Sequence, residues 1–191
     1  MSRFTVAKRR KREGKTDYKK RIKLLMGKTP RLIIRKSLHN MMLQVIEFNP
    51  AGDKVVLTVT SQNLKKLGWK ANTNNLPASY LCGYLLGTKA LAKKVKECIL
   101  DLGMQSSVKK GSLFAALKGA IDAGLNIPHS ENVFPEENRI KGEHIANYAK
   151  LLKENKEKYD KQFAACLKQG FDPEKMPAHF DEIKAKIGAK K

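Results

Sequence analysis

The segment Pro30 to Ser37, read P-R-L-I-I-R-K-S, constrains the fold more than any other stretch of the chain. Leu32, Ile33 and Ile34 are apolar and partly β-branched, as suits a strand in a buried sheet. Alternate side chains of a strand share a face, so Arg31, Ile33 and Arg35 point one way and Leu32, Ile34 and Lys36 the other. Two arginines on one face are costly to bury unless that face, or its edge, meets something anionic. A very basic segment precedes the strand and an apolar α/β pattern follows it. The strand is therefore where the charged part of the protein joins the folded part.

Two more strand patterns follow, Met41 to Phe48 and Val55 to Thr60, separated by the turn signal Asn49-Pro50-Ala51-Gly52-Asp53. Short connections make these three strands an antiparallel meander. Ser61 can cap a short helix reaching Leu67, and Gly68 to Asn75 reads as a polar loop. Pro77 suits a first helical turn, and Ala78 to Lys94 reads as the main helix, with Leu81, Leu85 and Ala92 as its buried stripe. Gly83 and Gly87 let it approach the sheet closely. Val95 to Leu102 reads as a fourth strand with Cys98 and Leu100 inward, joined by a parallel crossover. Ser112 caps a helix carrying Phe114, Leu117 and Ile121, and Gly124 stops it.

Pro128 and Pro135 bracket a linker. Glu136 to about Leu167 reads as one charged helix with Ile140, Ile145, Tyr148 and Leu152 on its apolar side. Gly170-Phe171-Asp172-Pro173 breaks it, and Pro177 opens a last helix that buries Phe180, Ile183 and Ile187. The expected class is mixed α/β. A basic arm and short helix span 1–28, an α/β core 29–128 and a helical C-terminal extension 129–191.

Charge narrows the function. Lys and Arg number 39 against 18 Asp and Glu, a formal net of +21. Residues 1–36 hold 15 of the cations and only 2 acids. Such asymmetry favours nucleic acid or an anionic membrane as partner. No apolar run approaches the roughly 20 residues that span a bilayer, and residues 1–26 lack the apolar core of a secretory signal. Cys82, Cys98 and Cys166 form no C-x-x-C pair, which fits a reducing compartment. These features predict a cytoplasmic protein with no membrane partner.

The phosphate-binding candidates begin with Arg3 and the block Lys8, Arg9, Arg10, Lys11 and Arg12, which should repel itself and stay extended. Lys15 follows, and Tyr18 and Arg21 lie on a short basic helix that Thr16-Asp17 starts and Gly27 ends. Arg31, Arg35 and Lys36 continue the track along the first strand. Trp69 and Lys70 stand among Asn72, Thr73 and Asn74, where the indole either stacks on a base or folds back as a core anchor. Lys109 and Lys110 precede a helix start and form either an anion site or an ordinary solvated cap.

Enzyme readings do badly. A metal-dependent nuclease on a related sheet needs clustered carboxylates, and Glu47, Asp101 and Asp122 are scattered. His39, His129, His144 and His179 lack ligand spacing, and no phosphate-binding loop of the G-x-x-x-x-G-K-[ST] kind is present. No catalytic residue, metal, cofactor or small-molecule substrate is expected. A nonspecific basic nucleic-acid-binding protein is the other alternative.

The chain also resembles a known family through T-D-Y-K-K-R-I-K-L-L at 16–25, P-R-L-I-I-R-K-S-L-H-N at 30–40 and Gly68-Trp69-Lys70. The match continues through N-L-P-A-S-Y-L-C-G-Y-L-L-G at 75–87, L-D-L-G at 100–103 and G-S-L-F-A-A-L-K-G-A-I-D-A-G-L-N-I-P-H-S at 111–130. It ends with R-I-K-G-E-H-I-A at 139–146 and M-P-A-H-F-D-E at 176–182. These segments, in order over nearly the whole length, resemble the universal 5S-rRNA-binding family of the large ribosomal subunit, member eighteen, in its archaeal form. The resemblance implies a structural ribosomal protein that binds 5S rRNA and helps attach it to the large-subunit rRNA in the central protuberance. It implies neighbouring ribosomal proteins as partners, large-subunit protein five among them. It also adds His39 and Asn40 to the candidate RNA contacts, at a place where Leu38-His39-Asn40 departs from the Asn-Lys-His frequent in relatives.

Overall fold

The computed structural model describes residues 5–189. Strand β1 (Arg31–Lys36) pairs antiparallel with β2 (Met41–Glu47), which pairs antiparallel with β3 (Lys54–Thr60). Strand β4 (Ile99–Asp101) returns parallel to β1, giving the order β3-β2-β1-β4. The mixed α/β class, the meander and the parallel crossover are all present. The fourth strand is only three residues long, and Cys98 just before it is buried.

Alternation decides what the sheet faces. Leu32 and Ile34 lie opposite Val45 and Leu43 and are fully buried with them. Against this face pack α4 (Leu76–Ala92) and α5 (Ser112–Asp122). Asn75 caps α4 by accepting from the Ala78 N–H, with Pro77 in the first turn. α4 lies between the sheet, α5 and the C-terminal helices, so Ala78, Leu81, Cys82, Leu86 and Ala90 are all inside. Ala90, not Ala92, completes its buried stripe, and Ala92 is exposed.

The close approach that Gly83 and Gly87 permit is to α5, not to the sheet. A Cβ on Gly83 would overlap the Ala116 carbonyl, and one on Gly119 would overlap that of Tyr80. The two helices meet backbone to backbone, as small residues at a crossing allow.

The charged segment after Pro135 is three helices: α6 (Glu137–Lys141), α7 (Glu143–Leu152) and α8 (Lys156–Leu167). Gly142 breaks the first junction with φ 87°, a left-handed conformation that any side chain would strain. Its position also lies tight against Met176 and Pro77. Asn155 breaks the second by capping α8 through the Lys158 N–H. Tyr148 therefore lies mostly outside the core, while Ile140 is inside. α9 (Met176–Gly188) buries Phe180, Ile183 and Ile187, as its spacing predicts, in a cluster continuous with the sheet's core.

Two short helices lead into β1. Residues Arg9–Arg12 form a single turn, α1, where an extended chain was expected; Glu13 neutralises part of the repulsion by pairing with Arg9 and Lys15. α2 (Tyr18–Met26) starts at Asp17, whose side chain accepts from the Lys20 N–H. Thr16 instead accepts from the Arg10 side chain. Neither α1 nor α2 contains a buried residue.

Candidate nucleic-acid interface

The outer face of the sheet carries the ion network. Arg31 and Arg35 alternate onto it with Ile33, and the parallel register sets Asp101 opposite Ile33 on the same face. Arg31 is only 1% exposed. Its Nη1 donates to Asp101 at 3.0 Å and its Nη2 to Asp53 at 2.6 Å. Asp53, in the turn before β3, accepts a second guanidinium from Arg21 of α2, at 2.9 Å to each oxygen. Burial pushes the Asp53 carboxyl up, but the Arg21 and Arg31 guanidiniums outweigh it and hold the group below its ordinary 3.8. This one carboxylate ties α2 and β1 together.

Arg35 is half exposed and held in place. Its Nη1 donates to the Ile34 and Asp101 carbonyls at 2.9 and 2.8 Å, and its Nη2 lies 3.4 Å from the Asp101 carboxylate. Asp101 also accepts the Gly103 N–H at 2.8 Å. Strand alternation alone predicts Arg31 and Arg35 together at an anionic contact. The structure separates them: Arg31 has its carboxylates inside the protein, while Arg35 keeps an open side. Asp53 and Asp101 were missed as their partners. The signal was present, because Cys98 and Leu100 inward put Asp101 outward, facing the arginines.

The expected arm candidates Lys8, Arg9, Arg10, Lys11, Arg12 and Lys15 are all exposed, while Arg3 lies outside the described residues. Tyr18 takes Lys8 over its ring at 4.7 Å. Lys36 ends β1 in the open, its backbone paired to the Gln105 side chain in both directions.

The loop Gly68–Asn75 departs most from expectation. Trp69 is 2% exposed, donates from Nε1 to the Asn72 carbonyl at 3.2 Å and stacks on His179 at 5.0 Å. It is the core anchor, and its ring is closed to a base. Thr73 is buried, donates its hydroxyl proton to the His39 carbonyl at 2.8 Å and lies 3.3 Å from Asn40 Oδ1. Asn74 donates to the Ser37 and Leu38 carbonyls. These two side chains brace the turn after β1, which leaves His39 exposed and Asn40 half-buried. Lys70 and Asn72 remain exposed. At the start of α5, Lys109 is exposed, whereas Lys110 pairs with Glu136 at 3.1 Å and donates its N–H to Val133. Gly111, not Ser112, holds the cap position, without a side-chain bond.

His179 makes this anchor sensitive to acid. Its Nε2 accepts the Lys70 N–H at 3.2 Å, which needs an unprotonated nitrogen. Burial holds its pKa below the ordinary 6.5; Lys186 and Lys70 add to that, against the exposed Glu182. A depressed histidine contributes stability that is complete above its unfolded value near 6.5 and lost as pH falls through the folded value. His144 is shifted the same way by burial. The melting midpoint should therefore fall as pH drops from 7 to 5. His179→Phe keeps a ring beside Trp69, and its melt should depend less steeply on pH in that range. Equal slopes would locate the dependence elsewhere.

The carboxylates proposed for a nuclease are engaged or apart. Asp101 holds arginines, Asp122 accepts from the Tyr80 hydroxyl at 2.6 Å, and Glu47 ends β2. Among the described residues no group of three or more His, Cys, Asp or Glu could hold a metal ion. No helix among them is long and apolar enough to cross a membrane.

A basic α/β protein with an exposed cationic arm, and with Asp53, Asp101 and Asp122 committed to structure, is the design of a scaffold binding protein. The family described as ribosomal large subunit proteins 60S L5 and 50S L18 matches residues 2–97 and 92–130, well over half of the chain. The large ribosomal subunit protein uL18 of Methanococcus maripaludis is 46% identical over 186 residues, covering 97% of this chain and 96% of the relative. The chain belongs to this family of large-subunit ribosomal proteins, which are structural constituents of the cytoplasmic ribosome and not enzymes.

Proposed function

We propose that this protein binds 5S rRNA and attaches it to the large-subunit rRNA in the central protuberance, beside large-subunit protein five. The observation that carries the reading is the exposed cationic arm (Lys8 to Lys15), followed along the chain by Arg21, by Arg35 with its open side and by the exposed Lys36 at the end of β1. The 1–28 arm supplies charge, the 29–128 core supplies rigid contacts and the 129–191 extension covers α4.

The two parts should fail differently. Deleting residues 1–14 should leave the circular dichroism melt nearly unchanged, because α1 contains no buried residue. It should weaken RNA binding and flatten its salt dependence, by roughly 0.7–0.9 in log–log slope per lost phosphate contact. Arg35 is fixed by its carbonyl bonds, so its open side can recognise one geometry. Arg35→Ala should weaken 5S rRNA more than a nonspecific RNA of equal length, whereas the arm deletion should weaken both alike. If Arg35→Ala leaves the 5S preference intact, the sheet is only a support.

A further inference from the structure

Between the start of α2 and the outer face of β1 and β4 lies a cleft of about 250 Å³. Six cations line it, Arg10, Lys15, Lys20, Arg21, Arg31 and Arg35, against three acids, Asp17, Asp53 and Asp101. Asp53 and Asp101 are engaged by arginines, and Asp17 caps α2. Lys15 is also paired with Glu13 at 2.8 Å, so two cations remain in excess, and a cleft of that balance favours an anion.

A second observation points the same way. Arg31 is 1% exposed, and its Nε has no hydrogen-bond partner in the protein. Nη1 and Nη2 are taken by Asp101 and Asp53, so this buried charge is one acceptor short of full compensation beside the cleft, and an anion seated there would offset part of that cost. Lys20 lines the same cleft, and its ammonium makes no salt bridge among the described residues. The Thr16 hydroxyl, already accepting from Arg10, still has a proton to donate.

We infer that this cleft is a discrete phosphate site, occupied in the assembled particle by one phosphodiester of the RNA backbone. This rests on the RNA-binding reading above and sharpens it. The arm binds phosphates diffusely, whereas the cleft seats one phosphate against the folded sheet. Guanidinium and ammonium groups lining one cleft suit a tetrahedral oxyanion.

The test uses the full chain. Thermal melts in inorganic phosphate are compared with melts in chloride at matched ionic strength, for the wild type, Lys20→Gln and Lys66→Gln. Phosphate stabilises most proteins somewhat through exclusion from their surface, and that part should be equal in all three. The site predicts an added rise in the wild type and in Lys66→Gln, outside the cleft, which Lys20→Gln loses. Lys20 is exposed, so its variant should melt like the wild type in chloride. The Arg31 Nε–H resonance should also shift on adding phosphate to the wild type. Equal phosphate responses in all three proteins, or an unmoved Arg31 resonance, would overturn the site.

Binding of 5S rRNA separates the sources of the phosphate. If the occupant is a phosphodiester, Lys20→Gln should reduce the log–log salt slope by roughly 0.7–0.9. A phosphate response with an unchanged RNA slope would assign the cleft to a free anion and overturn the RNA source. Wild-type protein that fails to bind 5S rRNA at all would sink the broader reading, whatever the melts show.

Discussion

A single methyl group at Gly83 should cost the protein about 2 kcal/mol or more of its stability. The added Cβ of Gly83→Ala would overlap the Ala116 carbonyl of α5, which is backbone and cannot rotate away. Overpacking usually costs about 1–3 kcal/mol, and a backbone obstacle puts this site at or above the top of that range. Against it stands the gain of about 1 kcal/mol from replacing glycine by alanine inside a helix. The clash wins because α4 is enclosed on several sides by the sheet, α5 and α9. Gly119→Ala should behave alike, since its methyl would meet the Tyr80 carbonyl from the other helix. Gly188→Ala is the control: its nearest neighbour is the Tyr84 hydroxyl at 3.9 Å, so only the helix gain remains. Urea melts of the three variants should show two large losses and one small gain. A Gly83→Ala protein melting with the wild type would mean that α4 and α5 separate freely.

That helix pair shows what the sequence could and could not reveal. Gly83 and Gly87 were legible as packing glycines four residues apart on one face of a helix. What they pack against was not legible, because α5 follows a whole crossover later and only the closed fold brings Ala116 and Ala120 beside them. Strand alternation behaved better. Leu32 and Ile34 inward, with Arg31 and Arg35 outward, follows from period two alone. Whether an outward arginine meets solvent or an internal carboxylate depends on partners 22 and 70 residues away. Trp69 was ambiguous for the same reason. Its loop is polar, and the ring that covers it belongs to His179, 110 positions on. Thr73 and Asn74 read as base-reading groups, since the same amides and hydroxyls that bind bases also brace backbone carbonyls. The three helices after Pro135 merged into one because charge patterning continues smoothly across Gly142. The exposure of Lys8 to Arg12 and Lys15, by contrast, was legible, because a run of cations with nothing apolar to bury has only the surface available; its helical turn at Arg9–Arg12 was not, since it depends on the pairing with Glu13.

Asp101→Ala should produce the other large loss. Asp101 is nearly enclosed and accepts from Arg31, Arg35 and the Gly103 N–H. Removing it leaves the Arg31 guanidinium inside the protein with Asp53 as its one remaining carboxylate among the described residues. Breaking a buried pair from one side costs about 3–5 kcal/mol, because the remaining charge stays out of water without compensation. At about 2–4 °C per kcal/mol for a chain of this size, the melt should fall by roughly 6–20 °C. Asp101→Asn should lose less, since an amide oxygen can still accept from Gly103 and Arg31. The paired change Arg31→Met with Asp101→Leu should recover much of the loss, because both buried charges are gone. Binding gives the second readout. Asp101→Ala releases Arg35 from its carboxylate and adds net positive charge to the outer face, so affinity for nonspecific RNA should hold or rise. The preference for 5S rRNA should fall, because the guanidinium is no longer fixed. If the single variant melts within a degree of the wild type, or keeps its full 5S preference, then the Arg31–Asp101–Arg35 network neither supports the sheet nor aims the contact at its edge.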